Sequence, residues 1–263
     1  MIPRADIVEW RTQAPWKSDA QVEQDLIICR LLIEFSLDSI IHDVLLFRGG
    51  TALHRLFLAP AVRYSEDLDF VQKDPAPIGP VLSAMRSICD PLLGNAKIRQ
   101  KEDSVILAYR VNSEIPPIMP LRIKIEINTR EHFAAFRTRN KFFGVQSRWF
   151  SGECQVKTYL LEELLATKLR ALYQRKKGRD LFDIWYGLTK GNADPIKIAD
   201  AFCKYVEFQN LMITGSQLRK NIESKMKDPG FNKDISPLLR PDMNYSPQEA
   251  YSFLNERLLY LID

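Results

Sequence analysis

The spacing of apolar and polar positions changes character partway along the chain. Residues 18–39 carry Leu26, Ile27, Cys29, Leu31, Leu32 and Phe35 at roughly helical spacing, which predicts a helix. Ser18 and Gln21 stand at the spacing of a capping box at its start. A short apolar strand follows in VLLF, 44–47, stopped by Gly49-Gly50. TALHRLFL, 51–58, reads as helix, DLDFV, 67–71, as strand, and 77–93 as a helix closed by Gly94. The middle of the chain alternates with a period of two. VILAYRV, 105–111, is a strand. In LRIKIEIN, 121–128, Leu121, Ile123, Ile125 and Ile127 take one face, while Arg122, Lys124, Glu126 and Asn128 take the other. NKFFGVQSRWF to CQVKTY adds extended segments. From about residue 158 the pattern is helical: TYLLEELLATKLRALYQRKKG, then RDLFDIWYGL, a helix restarting at Asp194-Pro195, and patches near 215–227 and 247–262, with loop-like chain between the last two. This predicts a mixed α/β half, 1–155, and an all-helical half, 156–263, packing against it.

Composition narrows the class of protein. The 263 residues are 46% hydrophobic and 27% charged, ordinary for a globular chain with a real core. Four scattered cysteines and three scattered histidines offer no zinc or disulfide framework, which fits a reducing cytoplasm. No secretory leader or membrane span is expected. The net charge of +4 permits a nucleic-acid or nucleotide partner without requiring one.

Four pieces carry candidate chemistry. FRGGT, 47–51, places two glycines between a strand and a helix start, where exposed N–H groups suit phosphate. In SEDLDF, Asp67 and Asp69 share one face of a strand, and two carboxylates so spaced form one side of a divalent-cation site; the alternative is an exposed edge-strand face. Glu126 lies on the charged face of its own strand. It becomes a third carboxylate over the same spot if that strand neighbours the Asp67–Asp69 strand, or else pairs locally with Lys124. LLATKLRALYQRKKGRDLFDIW, 164–185, gathers Lys168, Arg175, Lys176, Lys177 and Arg179, with Asp180 and Asp183 sharing a helical face. A solvated face laced with ion pairs is its simpler reading.

The order strand–GG–helix, DxD strand, later acidic strand is that of the polymerase-β-like nucleotidyltransferase superfamily. FRGGTALHRLF…RYSEDLDFV followed by EELLATKLRALYQRKKGRDLFDIWYGL resembles the AbiEii/AbiGii family of nucleotidyltransferase toxins, relatives of the MenT toxins, which belong to bacterial abortive-infection and toxin–antitoxin systems. The resemblance runs through about residue 190. It implies an α+β fold: a polymerase-β-like mixed sheet with flanking helices, then a helical half completing an active-site cleft. It implies transfer of a nucleoside monophosphate from an NTP to an acceptor, with release of pyrophosphate, using Mg²⁺ or Mn²⁺. Gly49, Gly50, Thr51, Arg63, Ser65 and Lys168 would meet the nucleotide, Asp67, Asp69 and Glu126 the metal, and Lys168 and Asp183 would join the two aspartates in catalysis. Relatives modify the 3′ end of tRNA, and the basic run 168–179 would suit its phosphates. A winged-helix antitoxin is the partner such systems imply. Two other readings remain. The acceptor is a protein hydroxyl, such as Tyr64, or a small molecule; or the chain is a nucleotide-binding antitoxin or interaction module.

Overall fold

The computed structural model describes residues 2–262; the outermost residues of the expected domain ranges, 1 and 263, lie outside the described residues. The chain forms two compact units. One takes the residues up to Phe133 together with Thr138–Thr158, and the other takes Ala134–Arg137 and everything from Tyr159 onward.

The first unit contains α1 (Arg4–Trp10), α2 (Asp19–Leu37), α3 (Ser39–Val44), β1 (Leu45–Arg48), α4 (Gly49–Ala52), a π-helical turn (Leu53–Phe57), β2 (Asp67–Gln72), α5 (Gly79–Leu93), β3 (Lys97–Gln100), β4 (Ser104–Asn112), β5 (Pro120–Asn128), β6 (Arg139–Gln146) and β7 (Ser151–Thr158). The strands make one mixed seven-stranded sheet in the order β3-β4-β5-β2-β1-β7-β6. β2 is parallel to β5 and antiparallel to β1.

The period-two alternation of β5 decides which way the sheet faces. Leu121, Ile123, Ile125 and Ile127 are buried, while Arg122, Lys124, Glu126 and Asn128 are not. Leu68 and Phe70 of β2 and Leu107 and Tyr109 of β4 bury the same face. They meet α2, whose Phe35 lies edge-on to Phe70 with ring centroids 6.1 Å apart. α2 is buried on nearly all sides, as expected of a helix apolar around most of its circumference. Its start is the capping box expected from the sequence, with Ser18 Oγ accepting from Gln21 N and Gln21 Oε1 accepting from Ser18 N. TALHRLFL is helical, but Leu53–Phe57 within it is wound as a π-turn. Such turns recur beside functional sites.

The second unit contains α6 (Leu161–Gln174), α7 (Gly178–Thr189), α8 (Pro195–Phe208), α9 (Gly215–Met226), α10 (Pro229–Lys233), α11 (Pro247–Arg257) and a closing 3₁₀ turn (Leu259–Ile262). Glu163 of α6 binds in the segment before β6. Its carboxylate accepts from Ala135 N (2.6 Å), Phe136 N (3.2 Å) and the Tyr205 hydroxyl (2.9 Å). Among the described residues no helix is long and apolar enough to cross a membrane.

Candidate functional site

The polar face of the first unit's sheet is set by strand register. Residues paired across neighbouring strands point to the same side. Asp67 pairs with Lys124, and Asp69 pairs with both Glu126 on β5 and Arg48 on β1. β5 thus neighbours the DxD strand, and Glu126 stands beside Asp69.

The glycine turn is built around these side chains. Gly49 has φ +82°, a conformation that L side chains rarely adopt. A Cβ added there would fall inside contact distance of Asp69 Oδ2 and 3.0 Å from Asp69 Cγ. A Cβ on Gly50 would lie 2.5 Å from Arg63 Nη2 and 2.9 Å from Ser65 Oγ. The two glycines therefore open the space into which Asp69, Arg63 and Ser65 project. Thr51 ties the turn to β2: its hydroxyl donates to the Asp67 carbonyl (2.6 Å) and lies 2.9 Å from Ser65 Oγ. Arg63 is buried, and its Nη1 donates to the Tyr64 carbonyl at 3.0 Å. The structure thus gathers Gly49, Gly50, Thr51, Arg63, Ser65, Asp67 and Asp69 at one place, a set of N–H groups, one cation and two carboxylates. Tyr64 itself is 3% exposed and packs edge-on against Trp16, so its hydroxyl is not presented to a bound nucleotide.

The charges on this face are coupled through Lys124. Its ammonium lies 3.1 Å from Asp67 Oδ2 and 2.8 Å from Glu126 Oε2. Glu126 Oε1 also accepts from Lys101 (3.2 Å) and Ser104 (3.0 Å). Burial pushes the Glu126 carboxyl up, but the hydrogen bonds from Lys124, Lys101 and Ser104 outweigh it and hold the group down at about 2. Burial pulls Lys124 down, and Glu126, Asp67 and Asp69 more than offset it, so the lysine stays firmly charged. Both sequence readings of Glu126 are therefore present, as neighbour of the DxD and as partner of Lys124. Among the described residues, however, no three His, Cys, Asp or Glu side chains converge to hold a metal ion. The oxygen-only donors Asp67 and Asp69 fit a hard divalent cation, which commonly takes one or two carboxylates and completes its shell with phosphate and water. Glu126, with its oxygens occupied, is better fitted to hold Lys124. Lys124 and Lys101 carry no motif of their own. The alternation of β5 alone marks Lys124, two residues before Glu126 on the same face.

In the second unit, Lys168, Asp180 and Asp183 form one buried cluster. Lys168 Nζ is 3.2 Å from Asp180 Oδ1 and 3.0 Å from Asp183 Oδ2, and both aspartates are 0% exposed. Arg175 closes on Asp180 with two hydrogen bonds of 2.8 and 2.9 Å. Burial raises the Asp180 carboxyl, and Lys168 and Arg175 outweigh it and hold it below its ordinary value. A depressed carboxyl contributes stability above its unfolded-state pKa and loses it as pH falls through the folded-state value, so this contribution is intact at neutral pH. Removing one partner of a buried ionic group strands the rest. Lys168→Met is expected to lower the unfolding free energy by about 3–5 kcal/mol, measured by urea titration. A loss below about 1 kcal/mol would show that the aspartates are compensated without the lysine.

The basic run 168–179 is an ion-paired face, the simpler reading of its sequence, more than the free phosphate track that the resemblance suggested. Lys168 and Arg175 pair as above, Lys176 pairs with Asp228, and Lys177 lies 3.5 Å from Asp234 Oδ1. Four of its six cations are thus neutralised from within the unit, two of them by aspartates distant in sequence.

A sequence profile described as "Nucleotidyl transferase AbiEii toxin, Type IV TA system" matches residues 30–253. The fold is similar to that of MenT4, a nucleotidyltransferase toxin from Mycobacterium tuberculosis H37Rv, with a TM-score of 0.65 at 17% identity, covering 100% of this chain and 90% of that one. It is also similar to JHP933 from Helicobacter pylori, with a TM-score of 0.54 at 19% identity, covering 93% and 92% of the two chains. At these identities the likeness is one of fold. No curated protein matches the chain by sequence.

Proposed function

Because the chain belongs to the AbiEii family of nucleotidyl transferase toxins of type IV toxin–antitoxin systems, we propose that it transfers a nucleoside monophosphate from an NTP to the 3′ end of tRNA and releases pyrophosphate. The observation that carries this reading is the packing of Asp69 against Gly49, with Arg63 and Ser65 against Gly50. It sets a turn able to cradle phosphates against the Asp69 carboxylate. The backbone of Gly49 and Gly50 and the guanidinium of Arg63 bind triphosphate oxygens. Ser65 and Thr51 hold the turn against β2. Asp67 and Asp69 hold a divalent cation, Mg²⁺ or Mn²⁺, which when bound neutralises the triphosphate and favours departure of pyrophosphate. Glu126 positions Lys124, which balances the crowded carboxylates before the cation and nucleotide arrive. Lys168 and Asp183 are carried forward as catalytic residues on the resemblance of their motif. Most of the rate enhancement then comes from positioning and charge neutralisation. Membership in the family implies a cognate antitoxin, and a cytoplasmic site of action follows from a tRNA acceptor.

The test is direct. The protein and its Asp69→Ala variant are incubated with Mg²⁺, total tRNA and each α-labelled NTP in turn. Label on tRNA, absent with Asp69→Ala, is the expected result. Label on protein or a small product would keep the nucleotidyl transfer and discard the tRNA acceptor. No label with any NTP would move the chain to nucleotide binding without transfer.

A further inference from the structure

The register that brings Asp69 beside Glu126 continues outward to the sheet edge. Lys97 on β3 pairs with Ala108 on β4, which pairs with Lys124 on β5, and Arg99 pairs with Ile106, which pairs with Glu126. Arg110 pairs with Arg122. Lys97, Arg99, Arg110 and Arg122 therefore project from the same face as Asp67, Asp69 and Glu126. They line, with Asn95, an open groove of about 270 Å³. All four cations are exposed, and among the described residues none forms an ion pair or hydrogen bond through its side chain. No carboxylate lines the groove.

We propose that this groove binds the sugar–phosphate backbone of the acceptor RNA. The inference rests on the reading of the acceptor as RNA and deepens it by assigning where the strand runs. Three observations support it. First, like charges directly opposite one another across strands destabilise a sheet, and Arg110 and Arg122 are such a pair. A polyanion lying over them removes that penalty. Second, edge protection against strand pairing accounts for charge on the edge strand β3, but does not call for two arginines set directly opposite one another across β4 and β5. Third, the groove leads to the carboxylates. Arg122 and Glu126 are four residues apart on one strand, about 13 Å at ~3.3 Å per residue, which is the length of about four nucleotides at ~3.4 Å each. A strand held there by its phosphates brings its 3′ end to the DxD. Apart from Ala108 the lining residues are cationic or polar, and none is a large apolar or aromatic anchor, as suits a backbone track more than a protein hot spot.

The experiment uses the full chain and the double variant Arg99→Glu/Arg110→Glu, with Arg99→Gln/Arg110→Gln in reserve should charge reversal perturb folding, which is checked by melting. Binding of fluorescein-labelled total tRNA is followed by anisotropy across a salt series, beside binding of a fluorescent NTP analogue and of polyglutamate. Loss of two phosphate contacts is expected to weaken RNA binding at least about tenfold and to flatten the slope of log K against log salt by about 1–2, with NTP binding unchanged. If the native chain binds and labels tRNA and the variant does so equally well, the groove assignment falls and the acceptor reading stands. If the native chain neither binds nor labels RNA, both fall. If the variant keeps RNA but loses polyglutamate, the groove belongs to an acidic protein and the proposal is overturned.

Discussion

Gly49→Ala is expected to lower nucleotidyl transfer by about a hundredfold or more while the protein stays folded. Two effects act together. The residue sits at φ +82°, where a Cβ costs roughly 1–2 kcal/mol. That strain alone is affordable for a domain stabilised by about 5–15 kcal/mol. The second effect is local: the new methyl falls inside contact distance of Asp69 Oδ2 and crowds Asp69 Cβ and Cγ at 3.0 Å. Either the turn or the carboxylate must move, and a shift of about 1 Å in a group that positions a reacting phosphate suffices for a hundredfold loss. Activity should therefore fall far more than stability. The check is initial-rate label transfer beside thermal melting. A variant with near-native rate would show that Asp69 need not touch the glycine turn. One that fails to fold would make Gly49 a structural residue first. Gly50→Ala is the milder companion, because Gly50 has no left-handed φ to strain and its added methyl meets only the Arg63 guanidinium and the Ser65 hydroxyl.

The elements that the sequence announced are those whose signal is local. The alternation in LRIKIEIN reappears residue by residue in the burial of β5. The Ser18–Gln21 box starts α2, and Gly94, at φ +79°, closes α5. The GG turn and the DxD were legible because backbone constraint and side-chain period leave a mark within a few residues. What was not legible was made by distant partners or lacked apolar periodicity. β3 is four exposed residues, visible only through its pairing with β4. The short helices α1 and α3 have too few turns to print a period. Charge was the most misleading guide. Four cations of the conspicuous run 168–179 are neutralised by Asp180, Asp183, Asp228 and Asp234, and a linear reading cannot see an aspartate that folds back from another helix. The free cations at Lys97, Arg99, Arg110 and Arg122 are unremarkable in sequence and form a cluster only once three strands are in register. The same register turns Glu126 from an isolated strand acid into the anchor of Lys124.

Asp25→Ala is expected to be the most destabilising single change in the first unit, at about 3–5 kcal/mol in urea unfolding. Asp25 lies mid-helix in α2, 2% exposed, where a lone carboxylate would be untenable. It is satisfied from several sides. Trp10 Nε1 donates to Oδ1 at 2.9 Å, Trp16 Nε1 donates to Oδ2 at 2.8 Å, and the Arg55 guanidinium pairs with Oδ2. Burial draws Arg55 down to about 10, which leaves it fully charged at neutral pH. Removing the carboxylate strands that cation and orphans two buried indole donors, each costing about 1–3 kcal/mol when unmade. Asp25→Asn keeps one acceptor and should fall between the native chain and the alanine variant. Asp25→Ala/Arg55→Met, which removes the stranded charge, should recover part of the loss. Loss of less than about 1 kcal/mol in Asp25→Ala would mean that water replaces the carboxylate and the knot is not a constraint. The consequence extends to the site, because Arg55 sits in the π-turn directly after Gly49–Ala52. Asp25 thereby fixes where the helix following the glycine turn begins its course. The next residue back, Gln24, donates to the Arg122 carbonyl at 2.9 Å and so fixes β5 from the same helix. One turn of α2 thus holds both the phosphate-facing turn and the strand that carries Lys124 and Glu126. Asp25 variants should accordingly lose transfer activity at temperatures below the point at which they unfold.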